Sequence, residues 1–185
     1  MAAPWHNDPL LVGKFHTTYP DDLQVIMHDG GPRLSAIVPE LMWVRLHGLA
    51  SQSRASFRVY RGTLLGDAQR LPNLKAGALV LVLPANGSPH PIRTTDEYVE
   101  DRARYDIIPC RGCGFTELFD PPTTLAHRLH PDIPEGATMA TYATRCALCG
   151  GLQEVVAHAG GVTLDPDFET TEPPQRWWKD WKPFS

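Results

Sequence analysis

The four cysteines of this chain fall as two C-x-x-C pairs, Cys110-Arg-Gly-Cys113 and Cys146-Ala-Leu-Cys149, and each pair runs straight into glycine. A C-x-x-C turn is short enough to point two thiolates at one ion, and two such turns complete a tetrahedron. The spacing therefore implies a structural zinc ion held by Cys110, Cys113, Cys146 and Cys149. With four protein ligands no coordination position is left for water or substrate, which argues against catalytic zinc. Disulfide formation and redox or iron–sulfur use of the pairs are the alternatives. The N-terminus has neither the basic flank nor the apolar core of a signal peptide, and no apolar run approaches the roughly 18 residues of a membrane helix. The expectation is a cytoplasmic protein with no membrane partner, in which thiols stay reduced and bind metal in preference to pairing.

Fifteen glycines and eighteen prolines, with few helix-period apolar runs, favour short strands joined by turns. An N-terminal arm is expected over residues 1–20. Strands follow at Leu23–His28, at Leu41–His47 with Trp43, Arg45 and His47 on one face, and at Ser56–Leu65 with Phe57, Val59 and Arg61 opposite Arg58 and Tyr60. A fourth, Ala78–Leu83, shows no alternation and reads as covered on both faces. Four short strands closed by Gly/Pro/Asn turns over residues 21–84 predict a small antiparallel barrel. Residues 85–105 read as a linker and a short helix opening at Thr95-Asp96-Glu97. Residues 106–159 form the zinc-ribbon-like unit: a short lead-in strand, a helix with Asp120 as N-cap and Pro121 as its first residue, and strands at Met139–Arg145 and Leu152–His158. Residues 160–185 are a tail carrying Trp177, Trp178, Trp181 and Phe184 among Arg176, Lys179 and Lys182. The fold class is α+β, mainly β.

Charge constrains partners. Eleven basic residues face ten acidic ones up to position 105, but only six face eleven after it. A ribbon this acidic is poorly suited to gripping phosphates, since nucleic-acid affinity rests on Lys and Arg neutralising the backbone. Arg54, Arg58, Arg61 and the tryptophan tail are what a nucleic-acid-binding reading would use. His127 and His130 are spaced to share a helix face but lack the acidic partner of an H-E-x-x-H arrangement. His28, Asp29 and His47 are the groups available to an enzyme whose site lies between barrel and ribbon, although no G-x-S-x-G, P-loop or dinucleotide motif accompanies them.

Trp43-Val44-Arg45, Tyr60-Arg61-Gly62-Thr63-Leu64-Leu65 and Leu74-Lys75-Ala76-Gly77 resemble an uncharacterised group of bacterial small β-domain proteins, some grouped with toxin-immunity proteins. Cys113-Gly-Phe-Thr-Glu117-Leu118-Phe119-Asp120 and Cys149-Gly-Gly are similar to zinc-ribbon ends. The resemblance implies a β-domain and a bound metal and supplies no reaction. The expected function is a non-enzymatic, zinc-containing binding or regulatory protein of immunity or adaptor type, whose partner is another protein. Nucleic-acid binding and an enzyme of unknown reaction are the alternatives.

Overall fold

The computed structural model describes residues 3–51, 53 and 57–162. The chain is mainly β, as its turn-rich composition requires. Five strands, β1 (Asp22–Met27), β2 (Glu40–Leu49), β3 (Tyr60–Leu64), β4 (Leu79–Leu83) and β5 (Ile92–Thr94), follow one another round a closed barrel. Successive strands pair antiparallel, and an odd number of them leaves β1 and β5 running the same way. The seam is therefore parallel, at Ile26 opposite Ile92. β5 comes from the stretch read as linker, and without it the barrel would expose two edges.

In β2 the alternation holds as expected: Trp43, Arg45 and His47 face out while Met42, Val44 and Leu46 are buried. β3 also alternates as expected, with Tyr60 and Arg61 on opposite faces, while β4 departs from its expected burial. In β3 Tyr60 points into the barrel and Arg61 points out. Its ring fills the interior, and its buried hydroxyl donates to Asp8 Oδ2 at 2.6 Å, which the sequence pattern cannot show. In β4 Leu79 is 78% exposed, so the unbroken apolar run is covered on one face only at that end. Gly62 is dictated by packing, since a Cβ there would lie 2.4 Å from Val44 Cγ1. The N-terminal arm packs on the barrel: Trp5, in a 3-10 turn spanning Pro4–Asn7, and Leu11 join the cluster of Leu23, Val25, Val44, Tyr60 and Val82.

Helix α1 (Asp96–Arg102) is capped by Thr95, whose hydroxyl accepts from Tyr98 N at 3.1 Å. It leads into β6 (Tyr105–Ile107). After the first cysteine pair come α2 (Pro122–Leu129) and a hairpin of β7 (Thr141–Arg145) and β8 (Leu152–Ala157), and β8 lies central in the order β6-β8-β7. Asp120 does not cap α2. Pro121 occupies the cap position without a side-chain bond, and the Asp120 carboxylate accepts Gly31 N from the barrel at 2.9 and 3.0 Å.

Barrel and ribbon share a core. Ile26, Leu83 and Ile92 of the barrel belong to the same buried cluster as Tyr98, Val99, Phe115, Phe119, Leu125, Cys146 and Val155. Gly87 makes the closest approach: its φ is +70°, and a Cβ would sit 2.1 Å from the Gly114 carbonyl carbon. No helix among the described residues is long and apolar enough to cross a membrane.

Candidate functional site

The two cysteine turns are built alike. Gly114 N donates to Cys110 O at 2.8 Å and Gly150 N to Cys146 O at 2.9 Å, closing each turn, while Cys110 N donates to Phe115 O and Cys146 N to Gly151 O. Gly114 and Gly150 both adopt φ +75°, a conformation that costs a side-chain-bearing residue about 1–2 kcal/mol. That is the local reason each pair is followed by glycine. Amides that reach sulfur come from elsewhere in the turn: Gly112 N to Cys110 Sγ at 3.3 Å, Leu148 N to Cys146 Sγ at 3.4 Å and Gly151 N to Cys149 Sγ at 3.4 Å. Gly151 is hemmed in by the site, because a Cβ would lie 2.8 Å from Cys110 Sγ.

Folding brings Cys110, Cys113, Cys146 and Cys149 together, with all four sulfurs within 4.8 Å of one another. Cys110 and Cys149 sulfurs are 3.5 Å apart, and those of Cys113 and Cys146 3.7 Å. A disulfide requires about 2.05 Å. A tetrahedron of sulfurs about 2.3 Å from a central ion has edges of about 3.8 Å. The cluster therefore has the dimensions of a metal site, and none of its cysteines forms a disulfide. Cys110 and Cys146 are buried against the shared core, whereas Cys149 is exposed. Burial pushes the Cys113 thiol up to about 11 and Cys146 up further still. At Cys110 burial is the largest influence and works upward, but hydrogen bonds from the Cys113 and Gly112 amides and from Cys149 and Cys146 together outweigh it, and its pKa falls. A divalent cation held at the centre would supply the positive charge that half-buried thiolates otherwise lack.

The segment leaving the first pair is tied on three sides. Tyr98 Oη donates to Glu117 Oε2 at 2.7 Å and accepts Leu118 N at 3.0 Å, Arg102 Nε donates to Glu117 Oε2 at 2.8 Å, and Gln153 Nε2 donates to the Phe115 and Glu117 carbonyls at 2.9 and 3.1 Å. On the barrel side, Phe119 stacks on His28 with ring centres 3.9 Å apart.

The histidines singled out from sequence are dispersed. His28 Nε2 donates to the Arg93 carbonyl at 2.7 Å, which fixes its tautomer. Burial, and next the Arg93 charge, push its pKa down to about 3. His28 and Asp29 do line a cleft of about 240 Å³ between barrel and ribbon, with Asp120, whose carboxyl burial raises to about 6. The Nδ1 of His28 and the Oγ1 of Thr94 are sealed from it, however, with no accessible surface. His47 is not in that cleft; it meets Thr63 on the outside of the barrel at 2.7 Å. His127 reaches the Ala137 carbonyl, while His130 lies just past the end of α2 and is buried, so the two form no pair of ligands. Arg54 and the tail from residue 163, including Arg176, Trp177, Trp178, Lys179, Trp181, Lys182 and Phe184, lie outside the described residues.

One feature escaped sequence reasoning. A groove of about 430 Å³ opens on the barrel between Tyr19, Asp22, Glu40, Trp43, Leu65 and Asp67. His16 sits between two exposed rings, 5.2 Å from Tyr19 and 5.1 Å from Trp43, centre to centre. The outward face of Trp43 was legible; its aromatic neighbours come from a loop more than twenty residues earlier.

Comparison with family models, with curated proteins and with solved structures finds no match, so the geometry alone carries the functional argument.

Proposed function

We propose that the chain is a zinc-stapled, non-enzymatic binding protein of immunity or adaptor type that acts through protein–protein contacts. The observation that carries this reading is the four-sulfur cluster: every corner of the tetrahedron is a protein thiolate, so the ion holds the ribbon together and has no position for a reactant. Thiolate donors and four-coordinate geometry favour zinc over harder cations. The contact surface in this reading is the barrel groove, where Tyr19 is 55% and Trp43 39% exposed. Large aromatic rings left half in water are what protein interfaces bury as anchors. The carboxylates of Glu40 and Asp67 in the same groove oppose a nucleic-acid partner.

Elemental analysis of protein purified without chelator tests the metal, and about one zinc per chain is expected; less than about half an equivalent overturns it. A photocrosslinking residue at Leu65 tests the contact. The expected result is a protein adduct that disappears with Trp43→Ala, and an adduct pattern indifferent to Trp43 overturns the surface.

A further inference from the structure

We propose that the Trp43 groove receives a basic peptide segment, with a lysine or arginine side chain seated against the rings of Tyr19, His16 and Trp43 and facing the carboxylates of Glu40 and Asp67. This deepens the contact reading above and rests on it.

Charge decides the class of occupant. Among the described residues, three carboxylates line the groove and no lysine or arginine does. Asp22 is already neutralised, since Arg45 Nε and Nη2 donate to its two oxygens at 2.7 and 3.0 Å. The other two meet no cation among the described residues. Glu40 accepts the backbone amides of Gln69 and Arg70 at 3.1 and 3.0 Å, and Asp67 accepts that of Ala76 at 2.9 Å. Neutral amides orient these carboxylates without cancelling their charge. The nearby Arg70 guanidinium is turned to the Pro39 carbonyl at 3.4 Å.

The rings select for the same chemistry. His16 Nδ1 accepts the Thr18 and Tyr19 amides at 3.1 and 3.3 Å, so the ring is held in place with Nε2 carrying its proton. The indole of Trp43 is the best aromatic acceptor for a cation, and it lines the same groove as Glu40 and Asp67. Leu65, 41% exposed, continues the groove with an apolar wall for the aliphatic stem of the same side chain. An acidic or phosphorylated segment meets repulsion from Glu40 and Asp67, and a purely apolar one leaves both carboxylates desolvated and unpaired, which is costly.

The test presents the full-length chain to labelled heptapeptides of three kinds, lysine/arginine-rich, neutral and acidic, and reads binding by fluorescence anisotropy. Basic peptides are expected to bind, to weaken about 5- to 30-fold with Trp43→Ala, and to weaken again in the doubly substituted chain carrying Glu40→Gln and Asp67→Asn. Their affinity should also fall as salt shortens the screening length from about 10 Å at 0.1 M to about 3 Å at 1 M. Because Trp43→Ala touches a barrel strand, the Glu40 and Asp67 changes, which keep shape and remove only charge, decide the matter if the tryptophan variant melts early. Neutral or acidic peptides that bind in a Trp43-dependent way overturn the basic class and leave the contact surface standing. Binding of no peptide class that depends on Trp43, Glu40 or Asp67 overturns both. Basic peptides that bind only after Arg176, Lys179 and Lys182 are changed to Gln in the full chain identify the chain's own tail as the occupant and overturn a partner segment.

Discussion

The barrel and the ribbon solve the same problem by different means. In the barrel, five strands close on themselves, so every strand has a neighbour on both sides and the interior fills with Leu23, Val25, Val44, Tyr60 and Val82. The ribbon has three strands in one open sheet, and three short strands cannot enclose a core. It compensates twice: its cysteine turns converge on one point, and its remaining apolar face is laid on the barrel through Phe115 and Phe119. The difference teaches that the cysteine cluster and the barrel contact support the same element. The ribbon should fail if either is removed, and the barrel should suffer from losing the ribbon only where the two share a core.

The largest expected effect comes from the cluster. Chelation or Cys146→Ser should lower stability by several kcal/mol, since structural metal binding is folding free energy. Thermal unfolding followed by circular dichroism should show one transition at a lower temperature, because Ile26, Leu83 and Ile92 lose their cover together with the ribbon. A retained barrel transition beside an unfolded ribbon would break the claim of a common core.

Next comes the contact itself. Gly87→Ala should cost about 3 kcal/mol or more, combining strain at φ +70° with a Cβ placed against the Gly114 backbone. Gly77→Ala is the control: φ is +85° but nothing lies within 4 Å, so only the strain of about 1–2 kcal/mol remains. Equal costs in denaturant titrations would show that the close approach at Gly87 contributes nothing.

The His28 stack should appear in the pH dependence. The folded state depresses the His28 pKa from 6.5 to about 3, so the unfolded chain binds a proton that the folded chain refuses, and stability is lost as pH falls from about 6.5 toward 3. Asp120 has the opposite sign. Its folded pKa is raised from 3.8 to about 6, so the folded chain holds the extra proton and stability declines as pH rises through that range. The shift at His28 is the larger, and His28→Gln should therefore flatten the acid side of the stability profile by an amount of order 1 kcal/mol or more. Any loss of a cluster-bound metal at low pH would affect parent and variant alike and cancel in their difference. An unchanged slope would mean that His28 is not buried as a neutral ring.

The smallest effect is expected at Leu79. Exposed at 78%, it should tolerate Leu79→Gln within about 0.5 kcal/mol, whereas Leu83→Ala, at full burial in the shared core, should cost about 2–5 kcal/mol. A large loss at Leu79 would place a cover over the outer end of β4.

Much of the local structure was legible in the residues. The alternation from Met42 to His47 revealed which side of β2 faces out, Thr95-Asp96-Glu97 announced the start of α1, and the two C-x-x-C pairs located the four-cysteine cluster. These succeed because strand alternation, helix capping and the geometry within each C-x-x-C turn act over a few neighbouring residues. The misreadings share an opposite cause. Asp120 looked like a helix cap but serves Gly31, 89 positions away. The stretch after Pro84 looked like a linker because a three-residue strand has no pattern of its own, and β5 exists only through its pairing with β1 and β4.

The sequence by itself determined that this chain is mainly β and that Cys110, Cys113, Cys146 and Cys149 could share one ion, since both follow from residue type and short spacing. Only the tertiary structure decided that the barrel closes through a parallel seam, that ribbon and barrel share one core, and that Tyr19, His16 and Trp43 gather beside Glu40 and Asp67. Each of these depends on segments far apart in the chain being held within contact distance, and no local pattern encodes which distant surface a residue will meet.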